Sequence, residues 1–296
     1  MDFIKGMDVS FVPQCLDEGM VVSDFDGTVM HPLELAQKYG VNSIRLRLWN
    51  EPENVPESKG YCSLSQTIAM AKQIKAYGLG FMLDFHYSDW WADPGQQRKP
   101  KAWENLTGEA LEQAVYEFTK ETLCTLKKDG LLPDIVQIGN EIRSGLLFPD
   151  GEWPNYESMI KLVNAGIRGA REAAGDFGIK IMIHLDQGGR YLFIKEWFDN
   201  AFKHGINMAW FYIFNLHVAY GRIYVFINAP AENIWVFPSG KYLPCKVFGG
   251  KFRNMQRVFF SFYFCQCFGF TLLFFCGYVI SQSNSCGKFF CQFPGF

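Results

Sequence analysis

Short apolar segments alternate with longer amphipathic segments along the first two thirds of the chain. Five apolar segments have the length and residue types of strands, at 3–9, 42–48, 81–86, 135–138 and 179–185. The segments between them carry apolar residues at helical spacing, most clearly at 32–40, 64–77, 108–128 and 160–167. A chain that repeats strand, loop and helix builds a parallel sheet with helical crossovers. The pattern therefore predicts an α/β fold.

Polar side chains follow or end each of the five predicted strands. In chain order they are Asp8, Arg45 with Arg47, Asp84 with His86, Asn140 with Glu141, and His184 with Asp186. In a (β/α)₈ barrel the carboxyl ends of the strands surround the open face that carries the active site. A doubly wound sheet has the same rhythm, but no Gly-x-Gly-x-x-Gly follows the first strand. We therefore expect a (β/α)₈ TIM barrel.

The tripeptide Gly139-Asn140-Glu141 sets an amide and a carboxylic acid side by side where the fourth predicted strand stops. A carboxyl group that lies beside an amide over a partly apolar barrel mouth can have a raised pKa and can donate a proton. The alternative is an acid that only caps the following helix. The tripeptide alone does not separate these two interpretations.

The composition changes sharply near residue 205. Beyond that point Glu232 is the only acidic residue, and six of the nine cysteines and many of the phenylalanines follow it. We divide the chain accordingly into a catalytic barrel over 1–207, with strands one to about six, and an aberrant Phe/Cys-rich tail over 208–296 that replaces the end of the barrel. The late cysteines lack zinc-site spacing and no histidine follows His217, so we expect no metal and no cofactor.

The formal net charge of −2 gives no support for a nucleic-acid partner, which usually requires a clustered basic excess. The first residues lead directly into a strand-like segment, and no signal peptide is visible there.

An acid, arginines, histidines and tryptophans around one barrel mouth suit a glycosidase. Indole rings stack on the apolar faces of sugars, and the polar groups bind the hydroxyls. Retaining hydrolysis needs a protonated carboxyl and a second carboxylate about 5 Å away. A metal-dependent hydrolase is the competing interpretation, but no His-x-His or His-Glu-x-x-His spacing supports it.

Four stretches closely resemble the arabinogalactan endo-β-1,4-galactanases of glycoside hydrolase family 53. They are residues 3–10, Arg45-Leu-Arg-Leu-Trp49, Leu83-Asp-Phe-His-Tyr-Ser-Asp-Trp-Trp-Ala-Asp-Pro94 and Val136-Gln-Ile-Gly-Asn-Glu141. Trp153 and residues 184–189 extend the resemblance, which covers about 3–207. It implies an extracellular enzyme that cleaves β-1,4-galactan, a side chain of pectin, by retaining double displacement.

By this resemblance Glu141 is the general acid/base. The candidate substrate-binding residues, taken from the resemblance and from the strand ends, are Asp8, Arg45, Asp84, His86, Trp90, Asp93, Asn140, His184 and Asp186. Structural roles stay open for four positions. Arg47 could serve an ion pair and Asp84 could brace a loop, while Trp91 could pack beneath the loop and His184 could pair with Asp186.

The resemblance ends where the second catalytic residue should appear. The family pattern has a Tyr-Tyr-Pro motif on strand six and a nucleophilic glutamate in a Val-Glu-Thr-like context on strand seven. Residues 208–215 replace the first, and nothing downstream resembles the second. Glu232 remains by exhaustion, in an unsuitable Pro230-Ala-Glu-Asn-Ile context. We expect a barrel that is incomplete or distorted after the sixth strand, and a chain that is inactive.

Residues 258–280 form an almost uninterrupted apolar run that is long enough to span a membrane. Gln266 interrupts it, and no clear basic flank follows it. The excess of Phe, Cys, Tyr and Leu is also what T-rich DNA yields when it is translated out of frame. A frameshift or unspliced intron near codon 208 accounts for this and for the lost motifs together, so we do not expect a membrane partner. A non-catalytic galactan-binding pseudoenzyme and a membrane-tethered protein are the alternative functions.

Overall fold

A computed structural model describes residues 4–187 and 190–207, together with five later strand segments at 210–215, 224–225, 229–230, 258–267 and 270–279. The first eight strands are β1 (Gly6–Asp8), β2 (Ser43–Leu48), β3 (Gly80–Phe85), β4 (Ile135–Ile138), β5 (Gly145–Leu146), β6 (Gly151–Glu152), β7 (Lys180–His184) and β8 (Trp210–Asn215). The short strands β5 and β6 pair with each other as a hairpin. The other six pair in parallel in the order β1, β2, β3, β4, β7 and β8.

Helices connect these strands, as the sequence periodicity predicts. They are α1 (Val12–Asp17), α2 (Pro32–Lys38), α3 (Leu64–Ala76), α4 (Gly108–Lys128), α5 (Tyr156–Ala174) and α6 (Tyr191–Lys203). Local chemistry sets several of their starts. The hydroxyl of Ser63 accepts a hydrogen bond from the Gln66 N–H at the first turn of α3, and proline occupies the first turn of α1 and of α2.

The two faces of the strands pack differently because successive side chains point to opposite sides. One face of β2, β3, β4 and β7 is apolar and joins the main core with the helices, for example at Leu46, Leu83, Val136 and Ile183. On the other face Met82, Ile135 and Met182 form a small separate apolar cluster. The positions that follow this cluster on the same face, nearer the carboxyl ends, are polar: Asp84, Gln137 and His184. This face of the sheet therefore changes from apolar to polar towards the carboxyl ends of the strands.

The parallel part of the sheet ends at β8. In the part of the chain that the structure describes, β8 pairs on its other side with two short antiparallel strands, β9 (Tyr224–Val225) and β10 (Ala229–Pro230), rather than with a seventh parallel strand. The expected fold, a (β/α)₈ barrel that is incomplete after the sixth strand, is confirmed.

The apolar run at 258–280 contains two strands. β11 (Val258–Cys267) and β12 (Phe270–Val279) pair in an antiparallel two-stranded sheet. Among the described residues, the structure contains no helix with both the length and the apolar character that a membrane span needs.

Candidate active site

The turn after β4 has an unusual backbone that presents Asn140 and Glu141 at the strand tip. Gly139 has φ of +75°, and a Cβ there would lie 2.5 Å from Cγ2 of Ile142, so the position requires glycine. Glu141 is also left-handed, with φ of 51° and ψ of 44°. This conformation is unfavourable for a residue with a side chain, and such strain concentrates at functional sites.

The Glu141 carboxyl holds its proton unusually tightly. Burial raises its pKa, and the negative charges of Asp186, Asp93 and Asp84 raise it further, while the positive charge of Arg45 opposes them. The resulting pKa is about 7, compared with an ordinary 4.5. A carboxyl with this pKa is protonated in a large fraction of molecules near neutral pH, and it can act as a general acid and then as a general base.

Arg45 connects the ends of three strands. Its Nη1 donates to Oδ2 of Asp8 at 2.5 Å, and its Nη2 donates to Oδ2 of Asp84 at 2.5 Å and to Oδ1 of Asn140 at 3.0 Å. Its Nε donates to Oε1 of Gln137 at 3.2 Å. Burial alone would raise the pKa of Asp8, but the nearby arginines outweigh burial and lower it to about 2. Asp8 and Arg45 therefore form a charged pair across the pH range in which proteins fold.

Asp84 and His86 lie beneath the barrel mouth. The Asp84 side chain is fully buried; its Oδ1 accepts a hydrogen bond from Nε2 of Gln137 at 2.5 Å, and its Oδ2 lies 2.9 Å from Nε2 of His86. Nδ1 of His86 accepts the N–H of Ala92 at 3.0 Å. Burial lowers the pKa of His86, although Asp84 opposes this. Asp84 thus braces Arg45 and His86 with a fully buried side chain, and its expected role in substrate binding stays a prediction.

Asn140 has its amide oriented by four neighbours, one of which is Gln137, whose Nε2 donates to Oδ1 at 3.4 Å. Oδ1 accepts hydrogen bonds from Arg45 and from Nδ1 of His184, the latter at 2.8 Å, while Nδ2 donates to the carbonyl of Ala92 at 2.7 Å. Because Oδ1 can only accept, the proton of neutral His184 is assigned to Nδ1. Burial lowers the pKa of His184 to about 3, so this ring is neutral near pH 7.

Asp186 is engaged by an arginine rather than by His184. Nε of Arg143 lies 2.8 Å from Oδ1 and 2.9 Å from Oδ2 of Asp186. The His184–Asp186 pair considered from the sequence is therefore replaced by two separate interactions: Asp186 pairs with Arg143, and His184 bonds Asn140. Asp186 still contributes to the site because its charge raises the pKa of Glu141.

Arg47 lies among aromatic rings instead of in an ion pair. Its Cζ is 4.1 Å from the ring centroid of Phe11 and 4.0 Å from that of Trp91. Among the described residues no carboxylate lies within ion-pair distance of Arg47, so stacking on rings replaces the ion pair considered from the sequence, although the charge of Arg47 still lowers the pKa of Asp8. Trp90 packs on buried Trp49 with centroids 4.6 Å apart, and both Trp90 and Trp91 are half-buried.

Asp93 closes a turn in the loop after β3. Its Oδ1 accepts the N–H of Gly95 at 2.7 Å, and its Oδ2 accepts from Nε2 of Gln96 at 2.8 Å. In the loop after β4, Trp153 is 62% exposed, and its backbone N–H donates to the Ser144 carbonyl at 2.8 Å. Trp153 thus offers a large exposed indole on the loop that follows the Glu141 turn.

Three residues of the site escaped the sequence analysis: Gln97, Gln137 and Arg143. Gln137 could have been found, because it is the one polar residue in the apolar strand β4. Gln97 and Arg143 lie in loops, where a single sequence offers no comparable pattern. Among the described residues, no group of three or more His, Cys, Asp or Glu side chains is arranged to hold a metal ion.

Comparison with known proteins identifies relatives that match about two thirds of the chain, including the residues of the site. The model of "Glycosyl hydrolase family 53" matches residues 4–216. An arabinogalactan endo-β-1,4-galactanase of Thermothelomyces thermophilus is 37% identical over 202 residues, which cover 68% of this chain and 59% of that enzyme. A Niallia circulans protein from the region 5′ of bgaB is 41% identical over 208 residues, which cover 67% of this chain and 54% of that protein.

A solved structure supports the same relationship. The GH53 catalytic domain of Ignisphaera aggregans superposes with a TM-score of 0.66 at 38% identity, covering 72% of this chain and 59% of that domain. The chain therefore spans between about half and three fifths of the length of the relatives described here.

Proposed function

The chain belongs to glycosyl hydrolase family 53, and from this premise we propose that residues 1–207 carry the acid/base half of an endo-β-1,4-galactanase active site. The substrate is a β-1,4-linked galactan such as the arabinogalactan side chains of pectin. The reaction class is retaining double displacement, in which Glu141 first protonates the leaving glycosidic oxygen and then deprotonates the incoming water.

The single observation that carries this proposal is the placement of Glu141. A carboxyl at the carboxyl end of a barrel strand, in a left-handed backbone conformation and with a pKa of about 7, has the properties that a glycosidase acid requires. An acid that only capped a helix would be expected to keep a low pKa, because the helix N-terminus favours its charged form. This contrast favours the catalytic interpretation over the capping one.

The neighbouring polar residues have supporting roles in this proposal. Nδ2 of Asn140 carries two hydrogens, and within the described part of the chain the Ala92 carbonyl accepts one of them and no group accepts the other. The second can donate to a sugar hydroxyl beside the scissile bond. Arg45 and His184 hold the amide in the orientation that leaves this hydrogen free. Trp90 and Trp91 supply apolar surface for sugar rings beside the cleft.

We further propose that this chain lacks the second catalytic carboxylate and binds galactan without cleaving it. The three carboxylates that act on Glu141 are engaged elsewhere: Asp84 with Arg45, Asp186 with Arg143, and Asp93 in its own turn. Glu232 is the only acid after residue 207. A single carboxyl can donate a proton but cannot form and release a glycosyl-enzyme intermediate.

Galactan binding and galactan cleavage should be measured together on the full chain. We expect retardation in a galactan-containing gel and no increase in reducing ends. Glu141→Gln should alter binding to galactan, whereas Glu152→Gln, the same change at an exposed position of β6, should not. Hydrolysis that is abolished by Glu141→Gln and also by Glu232→Gln would contradict the missing nucleophile.

The origin of the tail over 208–296 is a question separate from the function of the barrel. We infer that a frameshift or retained intron near codon 208 replaces the end of the barrel, and that the encoded enzyme acts outside the cell on plant cell-wall polysaccharide. Sequencing the gene and its transcript over codons 200–250 tests this inference. A second frame that encodes a Tyr-Tyr-Pro strand and a Val-Glu-Thr-like strand supports it. If no frame encodes them, the tail is a genuine part of the protein.

A further inference from the structure

The loop after β3 contacts the turn after β4 at three points. The Ala92 carbonyl accepts from Nδ2 of Asn140 at 2.7 Å, and the Pro94 carbonyl accepts from the Ser144 hydroxyl at 2.6 Å. The third contact joins Nε2 of Gln97 to the backbone carbonyl of Asn140 at 2.7 Å. The first two contacts orient side chains, whereas the third acts on the main chain of the turn itself.

Gln97 is held in this position by hydrogen bonds from both its backbone and its side chain. Its side chain is almost completely buried, and its backbone carbonyl accepts the N–H of Phe148 at 2.7 Å. Its Nε2 also donates to the Asp93 carbonyl at 3.2 Å. Both partners of the amide nitrogen are carbonyl oxygens, so only one orientation of the amide satisfies them. The side chain is thereby fixed against the turn.

The Asn140 carbonyl belongs to the peptide group that joins Asn140 to Glu141. Rotation of this peptide plane changes φ of Glu141, which is held at 51°. A glutamate that no tertiary contact holds in place avoids this left-handed region. A buried hydrogen bond to the carbonyl oxygen opposes that rotation, because rotation would leave the Asn140 carbonyl without this partner and the Gln97 amide with only the longer bond to Asp93.

We propose that Gln97 is a positioning residue that locks the Asn140–Glu141 peptide and so keeps the Glu141 carboxyl in its half-buried place. The importance of this role for catalysis rests on the proposed function of Glu141. The positioning itself does not, because it concerns only the backbone and the environment of one carboxyl.

The test measures the titration of the Glu141 carboxyl in the full chain by ¹³C NMR, with glutamate labelled at Cδ and the resonance assigned by its loss in Glu141→Gln. In Gln97→Met the donor is lost at nearly constant volume. We expect the carboxyl to become better hydrated and its midpoint to fall by about one pH unit from its wild-type value near 7. The charges of Asp186, Asp93, Asp84 and Arg45 are the same in both proteins.

Two controls separate positioning from general loosening. Thr119→Val removes a buried hydroxyl that bonds Tyr87 at 2.8 Å and the Val115 carbonyl at 2.7 Å but not the Asn140–Glu141 peptide, and it should lower stability while leaving the Glu141 midpoint unchanged. Gln113→Met is the same glutamine-to-methionine change at an exposed position of α4. It should change neither the stability nor the Glu141 midpoint. If Gln97→Met does not fold, Gln97→Asn, which keeps a buried amide that is one methylene too short, takes its place.

An unchanged Glu141 midpoint in a folded Gln97 variant would overturn the proposal, as would an equal shift in Thr119→Val. These outcomes are distinct from failure of the proposed function. A chain that neither binds nor cleaves galactan would refute the function and would leave the Gln97 result standing.

Discussion

Arg45 and Asp84 are joined across neighbouring strands by a hydrogen bond of 2.5 Å between Nη2 and Oδ2, and the Asp84 side chain is fully buried. Burial alone would raise the pKa of Asp84, but the charge of Arg45, aided by His86, lowers it below its ordinary value. Arg45 also donates hydrogen bonds to Asp8 and Asn140. The buried polar groups of the site therefore depend on this one arginine.

Arg45→Met should be strongly destabilising, because it leaves the Asp84 charge buried without its partner. Loss of one member of a buried ion pair costs about 3–5 kcal/mol, and urea unfolding at pH 7 measures the change. Lys161→Met removes one member of the exposed Lys161–Glu157 pair and should have little effect. Equal losses in the two variants would show that Asp84 does not depend on Arg45.

Glu141→Gln should stabilise the protein at high pH and not at low pH. The folded pKa of Glu141 is about 7 and its ordinary value is 4.5, so the native state binds more protons between these values. Its contribution to stability is full below 4.5 and is lost as the pH rises through 7. Glutamine does not ionise, and the variant should gain roughly 3 kcal/mol over wild type above pH 7. Unfolding of both proteins at pH 4 and pH 8 measures this; a pH-independent difference would contradict it.

Arg47→Met should loosen the aromatic cluster beside the cleft. The guanidinium lies about 4 Å from the rings of Phe11 and Trp91 and is almost fully buried, so its loss should cost roughly 2 kcal/mol. Arg47→Lys should recover little, because an ammonium lacks the planar face that stacks on rings. The near-ultraviolet circular dichroism of the tryptophans should change with it. Arg168→Met, over the ring of Tyr116 at an exposed site, is the control and should change stability little.

Gly169→Ala should push α4 and α5 apart. A Cβ at Gly169 would lie 2.5 Å from the backbone oxygen of Tyr116, which cannot move without its helix. Such overpacking costs roughly 1–3 kcal/mol. At Gly178 no atom lies within 4 Å of an added Cβ, so Gly178→Ala should be neutral or slightly stabilising. Thermal unfolding of both variants checks the contrast, and similar melting temperatures would contradict close packing at Gly169.

Local periodicity was sufficient to predict the elements of the first part of the chain. The helix predicted at 64–77 is observed at Leu64–Ala76, and the helix predicted at 108–128 has the same bounds as α4. These elements follow from side-chain spacing within one segment, which the sequence displays directly. The sixth parallel strand, β8, lies where the sequence motifs had already been lost, and its pairing depends on β7 rather than on a local pattern.

The partners of the site residues could not be predicted in the same way. Alternation correctly places Arg45 and Arg47 on one face, yet Arg45 meets carboxylates and Arg47 meets aromatic rings. This difference is set by β1, β3 and two loops that are distant in sequence. Asp186 pairs with Arg143 and not with the nearby His184 for the same reason. Tertiary neighbours, and not residue type, decide these contacts.

The most direct test of the central claim is the proton affinity of Glu141 in the full chain. ¹³C titration of the labelled carboxyl, assigned by its absence in Glu141→Gln, gives this value without any substrate. We predict a midpoint of about 7, at which the side chain can serve as an acid near neutral pH. A midpoint close to the ordinary 4.5 would show a fully ionised carboxylate at neutral pH and would contradict the acid/base assignment.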